Sequence, residues 1–323
     1  MIGPSARKRD IIKEGNGTPP PFLTIILGPT ASGKTSLGVS LAEKLSGEII
    51  SIDSRQVYRG MDIGTGKDLH AYRDIRHHLI DIRHPQQRYD IAQFQNDFHE
   101  AYSDIVSRGK TPVAVGGTGM YILSLLIPQP YIQTPVNQAL RDQLSTCDKQ
   151  ALIRRLQDYV VPNDFHIDQS SQKRLIRAIE ILEALKQGFL PVEERPAYMP
   201  RVFGLNPELD VRRARISDRL RKRLDTGLIG EVEKLLQGGL SHADLQYYGL
   251  EYKYASLYLL GELDKPAFHK KLETEIHRYA KRQMTFFRKM EKEGVAIHWL
   301  RTKTEAAQVC EILESLERTP ILQ

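Results

Sequence analysis

Residues 22–45 read FLTIILGPTASGKTSLGVSLAEKL, and three local patterns follow one another in that order. Phe22 to Leu27 is a short apolar run, as a strand buried on both faces requires. Gly28, Pro29, Thr30, Ala31, Ser32, Gly33, Lys34 and Thr35 fit G-x-x-x-x-G-K-[ST]. From Lys34 to Leu45 the leucines at 37, 41 and 45 fall at i, i+4 spacing and predict a helix. Strand, glycine loop and helix together make a phosphate-binding loop. Free backbone N–H groups and the helix dipole favour an anion there. Lys34 is suited to neutralise phosphate oxygens, and the Thr35 hydroxyl is suited to a Mg²⁺ ion.

Outward from this unit the pattern repeats. Glu48 to Ile52 reads as a second buried strand, His77 to Ile82 as a short one, and Thr111 to Val115 as a third clear one. Ile91 to Arg108 reads as an amphipathic helix. This alternation predicts an α/β fold: a P-loop-type parallel sheet covered by helices, with ligands bound at the C-terminal strand ends. The phosphate loop, the Asp53 segment and the Gly116–Thr118 turn all lie at such ends.

The proline-rich stretch 128–135 breaks the pattern, and residues 131–200 read as a helical insertion, with Pro191, Pro196 and Pro200 marking the return to a strand at 201–205. Residues 21–130 and 201–323 then form the catalytic core, its tail mostly helical with a late strand at 295–300. Residues 1–20 are polar, lack an apolar signal region, and read as a mobile leader.

The chain has 323 residues, 41% hydrophobic and 27% charged, as an ordinary globular protein does. No apolar run approaches the length of a membrane helix, so no membrane partner is expected. Cys147 and Cys310 are isolated, which excludes a disulfide framework and a cysteine zinc site; the cytoplasm is the expected compartment. A net charge of +6 is concentrated in two stretches, 201–223 and 278–289. In the second, Arg278, Lys281, Arg282, Thr285, Arg288 and Lys289 share one helix face, as a nucleic-acid contact or a solvated surface would.

GPTASGKT, then DSRQVYRGMDIGTGK at 53–67, HHLIDI at 77–82, GGTGMYI at 116–122 and RYAKRQMTFFRK at 278–289, in that order, resemble the tRNA dimethylallyltransferase (tRNA isopentenyltransferase) family. The likeness spans roughly residues 22–300, and the 53–67 block is its most specific part. It implies transfer of the dimethylallyl group from dimethylallyl diphosphate to N6 of adenine 37 in tRNAs that read codons beginning with U. The phosphate loop would then hold a leaving diphosphate with Mg²⁺.

On this resemblance Asp53 is the catalytic carboxylate that accepts the N6 proton, and Thr30 and Arg219 contact the diphosphate. The residue types alone leave Asp53 open as a metal-binding or capping carboxylate and Arg219 as a solvated cation. Asp53, Ser54, Arg55 and Gln56 form the adenine-reading loop, and Thr118 lies near the target nucleotide. Arg141, Lys173, Arg174 and Arg177, with Arg278, Lys281 and Arg282, are the expected tRNA contacts. The insertion would clamp the anticodon stem-loop, and a monomer is expected. His77 and His78 read as structural, Trp299 as core, and Phe286 and Phe287 as core.

The sequence departs from the family in its C-terminal half. The family's G-Y-[KR]-[EQ] segment is matched here by Tyr247-Tyr248-Gly249-Leu250-Glu251-Tyr252-Lys253-Tyr254, which bears on RNA recognition and not on chemistry. The insertion is also shorter than in many members. The alternatives carried are an isopentenyltransferase acting on free adenine nucleotides, a P-loop small-molecule kinase, and a non-catalytic RNA-binding module. The kinase reading leaves residues 53–67 without a purpose.

Overall fold

A computed structural model describes residues 22–190 and 198–318. The expected leader at 1–20, with Pro191 and Pro196, lies outside the described residues. The chain divides into two compact units, residues 1–126 with 195–323, and residues 127–194.

The first unit is built on a parallel sheet of β1 (Phe22–Leu27), β2 (Glu48–Ile52), β3 (His77–His78), β4 (Pro112–Gly116), β5 (Met199–Gly204) and β6 (Ile297–Trp299), in the order β3-β2-β4-β1-β5-β6. The register sets Leu27 beside Gly116 and Gly204, and Ile52 beside Gly116. The C-terminal ends of the central strands therefore finish level, and the loops that follow β1, β2 and β4 open on one edge.

Helices α1 (Lys34–Lys44), α2 (Ile91–Ser107) and α3 (Gly119–Leu126) cover this sheet. Ile26, Leu37, Leu41, Ile49, Val113 and Phe203 sit in one core with almost no exposure, packed by Val309 and Ile312 from the last helix. Asp90 caps α2 in a reciprocal capping box with Gln93. Within the second unit lie α4 (Gln138–Ser145), α5 (Lys149–Leu156) and α6 (Gln172–Lys186). They enclose a core of their own around Leu144, Leu152, Leu175 and Ile179. The remaining helices of the first unit are α7 (Leu209–Asp225), α8 (Leu228–Gln237), α9 (His242–Leu245), α10 (Leu250–Leu259), α11 (Lys265–Lys292) and α12 (Glu305–Glu317).

Three elements differ from the sequence reading. The strand expected over 77–82 ends after His78, because Leu79 and Asp81 adopt left-handed φ values of 63° and 56° and turn the chain out of the sheet. Residues 119–126 form a helix that sequence reasoning missed; eight residues are too few to show a period. Trp299 is half-buried on the edge strand, not core: its ring covers Gly204 and its indole N–H donates to Glu291 at 2.8 Å.

His78 has the structural role expected of it. Its Nε2 lies 2.8 Å from Glu48, whose carboxylate also takes both terminal nitrogens of Arg108. The Arg108 bonds, working against burial, hold Glu48 down at about 2. Phe287 is fully buried, and Phe286 packs over Gly119. No helix among the described residues is long and apolar enough to cross a membrane.

Candidate active site

The phosphate loop begins where β1 runs out. Gly33 caps α1 with φ 92°, a left-handed setting open to glycine without strain, and Ala31 adopts φ 60°, which costs a non-glycine residue about 1 kcal/mol. Thr30, Lys34 and Thr35 face a cavity of ≈390 Å³. The Lys34 ammonium donates to the Pro29 carbonyl at 3.3 Å. Burial and the nearby Arg219 charge push its pKa down to about 8, against the opposing pull of Asp53.

Asp53 follows β2 and lines the same cavity. Its Oδ1 accepts the backbone N–H of Arg55 at 2.8 Å and of Gln56 at 3.4 Å. These bonds fix the carboxylate at the strand end. Ser54, Arg55 and Gln56 line the cavity with it. The Gln56 carboxamide is held at both ends: Nε2 donates to Gly66 O at 3.1 Å and Oε1 accepts from Ser51 Oγ at 3.1 Å. Thr118 stands behind the loop, its hydroxyl accepting from Ser54 N at 3.2 Å.

Arg219 of α7 lines the same cavity. Burial and the adjacent Arg223 charge push its pKa down to about 10, so it remains a cation at neutral pH. Arg223 is buried and paired with Glu251 at 2.6 Å, with a second bond to the Gly64 carbonyl at 3.4 Å. Lys34 and Arg219 thus line one cavity as cations, a field suited to a diphosphate, while Arg223 is held by Glu251.

Sequence reasoning missed three residues here. Gln283, on the basic stripe of α11, is buried; its Oε1 accepts from Thr30 N at 2.8 Å and its Nε2 donates to Gly117 O at 2.9 Å. Tyr279 lines the cavity one turn earlier, together with Arg282. Tyr247 lies at the cavity with the guanidinium carbons of Arg55 and Arg88 4.6 Å and 4.1 Å from its ring centre. All three had a signal in the sequence: Tyr279 and Gln283 lie in the 278–289 block that carries the resemblance, and Tyr247 in the 247–254 segment set against the family's G-Y-[KR]-[EQ].

The other named cations lie elsewhere. Arg278 and Lys281 are exposed on α11 and do not line the cavity; Arg278 pairs with Glu275. In the second unit, Arg141 and Arg177 are committed to one buried acid, Glu180. Arg141 Nε and Nη2 donate to its two oxygens at 2.9 and 2.8 Å, and Arg177 donates to Glu180 and, at 2.9 Å, to the Thr134 carbonyl. Lys173 and Arg174 are exposed, the latter paired with Asp168. Leu175 is core and Ile176 packs beside it.

Among the described residues no group of three or more His, Cys, Asp or Glu could hold a metal ion by itself. The Thr35 hydroxyl at the cavity is a hard oxygen donor. It suits a small divalent cation whose other ligands are phosphate oxygens and water.

Comparison with known proteins identifies the family of the chain. The family model described as IPP transferase matches residues 56–290, and the one described as isopentenyl transferase matches residues 21–82. A protein of Geotalea uraniireducens named tRNA dimethylallyltransferase 1 is 48% identical over 86% of this chain and 92% of its own length. One of Porphyromonas gingivalis named tRNA dimethylallyltransferase 2 is also 48% identical, over 90% of this chain and 97% of its own. The solved structure of the tRNA isopentenylpyrophosphate transferase of Bacillus halodurans superposes with a TM-score of 0.67 at 33% identity, covering 92% of this chain and 95% of that one. A eukaryotic dimethylallyltransferase acting on tRNA, at 22% identity and a TM-score of 0.73 over 94% of this chain and 81% of its own, shares the fold. With a family model spanning 56–290 and relatives at 48% identity over most of its length, the chain belongs to the tRNA dimethylallyltransferase (IPP transferase) family.

Proposed function

We propose that this protein transfers the dimethylallyl group of dimethylallyl diphosphate to N6 of adenine 37 in tRNAs reading codons that begin with U. The observation that carries the reading is that Thr30, Lys34, Thr35, Asp53 and Arg219 line a single cavity. The phosphate loop and a carboxylate thereby serve one reaction. The acceptor N6 attacks C1 of the allylic substrate, the C1–O bond breaks with its electron pair leaving on the diphosphate, and the N6 proton passes to Asp53.

An exocyclic amine is a weak nucleophile, and a positioned carboxylate helps as positive charge grows on nitrogen. Because both backbone bonds to Asp53 fall on Oδ1, Oδ2 is the oxygen offered to the amine. Lys34 and Arg219 would take the negative charge that builds on the leaving group, with Thr30 beside them. Donors fixed before the reaction avoid reorganisation during it. Thr35 would hold Mg²⁺ together with diphosphate oxygens; the ion supplies charge neutralisation of the leaving group.

The acceptor adenine of an anticodon loop can be splayed out at modest cost. Ser54, Arg55 and Gln56 would receive it. The exposed cations Lys173, Arg174, Arg278 and Lys281, with Arg282, would meet backbone phosphates, which orient RNA without reading it. The names of the relatives and the Arg–Tyr stacking at the cavity favour tRNA over a free nucleotide.

The test is direct. Purified protein with Mg²⁺ and labelled dimethylallyl diphosphate is offered unmodified tRNA or AMP. Label on tRNA, lost in Asp53→Ala while tRNA binding persists, is the expected result. Label on AMP alone, phosphoryl transfer from ATP, or full activity in Asp53→Ala overturns the reading.

A further inference from the structure

Glu231 of α8 does not line the cavity, yet it holds one of the cavity's walls. Its Oε2 accepts the backbone N–H groups of Asp62 at 2.8 Å and Ile63 at 2.7 Å, and its Oε1 accepts those of Gly64 at 3.0 Å and the Tyr252 hydroxyl at 2.7 Å. Three successive N–H groups turned toward one point form a concave anion site, filled here by an internal carboxylate. Tyr252 closes the arrangement from α10: a Cβ on Gly64 would meet its ring at 2.4 Å, so only glycine fits beneath it.

The segment so held reaches the base-reading loop. Gly66, at φ 64°, folds back so that its N–H bonds to Asp62 O at 2.9 Å, and its carbonyl receives the Gln56 carboxamide at 3.1 Å. That bond, with Ser51 on the other end of the amide, decides which way Gln56 points its nitrogen and its oxygen. One N–H and one oxygen lone pair of Gln56 remain for a ligand. An amide fixed with both is the pairing that reads an adenine edge, and a flipped amide presents them in the opposite order.

We propose that Glu231, buttressed by Tyr252, is a positioning residue for adenine selection, acting through residues 62–66 and the Gly66 carbonyl on Gln56. This rests on the reading of the cavity as a site for an acceptor adenine.

The experiment uses the full chain and three variants, E231Q, Y252F and Q56A. Glutamine at 231 offers one acceptor oxygen and sets an NH₂ group against the N–H cluster, so at least one of the N–H groups loses its partner. The readouts are the KM for an anticodon stem-loop, the inhibition constant of the same stem-loop with inosine in place of the acceptor adenosine, and the Kd of dimethylallyl diphosphate by calorimetry.

For E231Q the expected result is a stem-loop KM raised about 10-fold and discrimination against the inosine stem-loop lowered about 10-fold. The Kd of dimethylallyl diphosphate should stay within about twofold. Y252F removes one bond and keeps the ring over Gly64; it should show a smaller loss of the same kind and serves if E231Q fails to fold. In a Q56A background, E231Q or Y252F should add nothing further to the loss of discrimination.

Unchanged discrimination in a folded E231Q or Y252F overturns the proposal, as does a loss fully additive with Q56A. A parallel loss of dimethylallyl diphosphate binding also overturns it, since that marks a general brace. If the wild type labels no tRNA, the functional reading fails on its own, before any variant is compared.

Discussion

The carboxamide of Gln283 accepts the backbone N–H of Thr30 at 2.8 Å across 253 residues of sequence, and its other end donates to the Gly117 carbonyl at 2.9 Å. One side chain from α11 therefore ties the loop after β1 to the loop after β4. Gly117 must lack a side chain for this, because a Cβ there would lie 2.5 Å from the Gln283 nitrogen. Gln283→Ala leaves a part-buried N–H and a buried carbonyl unpaired, the latter at about 1–3 kcal/mol. We expect a lower melting temperature and a dimethylallyl diphosphate Kd at least about 10-fold weaker, measured by scanning calorimetry and titration. Gln283→Glu keeps the acceptor for Thr30 but sets a carboxylate oxygen against the Gly117 carbonyl, so it should fail as well. Wild-type binding in both variants would remove Gln283 from the loop's support.

Lys34 gives the site a pH dependence with a definite sign. Burial, then the charge of Arg219, lowers its pKa from 10.5 to about 8 in the free enzyme. Below pH 8 the ammonium is present and attracts the diphosphate; above it the charge is lost, and binding must take up a proton. Affinity should fall as pH rises through about 8, by up to about tenfold per pH unit while the group deprotonates. Lys34→Arg stays charged through this range and should flatten the profile between pH 7.5 and 9.5. A flat wild-type profile would show that Lys34 does not meet the anion.

The parts legible in the sequence are those encoded by local pattern. An apolar run, a glycine-bounded loop and leucines at helical spacing placed β1, the phosphate loop and α1, because each signal lies within its own element. Gln283 was legible only in part: its spacing from Ile276, Ala280 and Phe287 puts it on the inward face of α11, but nothing local names Thr30 and Gly117 as its partners. Arg141 shows the converse. Residue type identifies a cation, but its partner Glu180 lies 39 positions away on another helix. The truncation of the strand at His78 was hidden because Leu79, where the turn begins, does not advertise a left-handed backbone, although Asp81 is a residue type that tolerates one. Asp81 is turned there to pair with Lys67, whose ammonium also bonds Asp62 and the Tyr58 carbonyl at 2.6 Å each.

Arg141 and Arg177 were expected as tRNA contacts, yet each is bonded to Glu180, whose side chain is fully buried. Burial alone would raise the Glu180 pKa; the bonds from Arg141 and Arg177 outweigh it and hold the acid below its ordinary value. Removing one partner of a buried pair typically costs about 3–5 kcal/mol, moderated here because the other arginine remains. Arg141→Ala should therefore destabilise residues 127–194, seen as early hydrogen exchange in α4 and α6. Lys173→Ala, on the exposed face, should leave exchange unchanged and reduce the salt dependence of tRNA binding by about one counterion. If Arg141→Ala keeps native exchange and instead lowers the salt slope, its role is contact with phosphate.

Tyr247 is the final case, because the sequence reading expected its segment to bear on RNA recognition. With Arg55 at 4.6 Å and Arg88 at 4.1 Å from its ring centre, it gathers two guanidinium groups beside the cavity. Such stacks are worth about 0.5–2 kcal/mol each, and flat cationic surfaces of this kind also accept unpaired bases. Tyr247→Leu keeps bulk but loses the π face, so both arginines should become mobile. The expected outcome is a stem-loop KM raised about 10-fold with the dimethylallyl diphosphate Kd within about twofold, while Tyr247→Phe stays near wild type because the ring remains. Arg88→Ala should give a smaller rise and a salt slope reduced by about one. Steady-state kinetics at two salt concentrations check all three variants. Equal losses in Tyr247→Phe and Tyr247→Leu would shift the role from the ring to the hydroxyl, and an unchanged KM in Tyr247→Leu would leave the stack without a part in RNA binding.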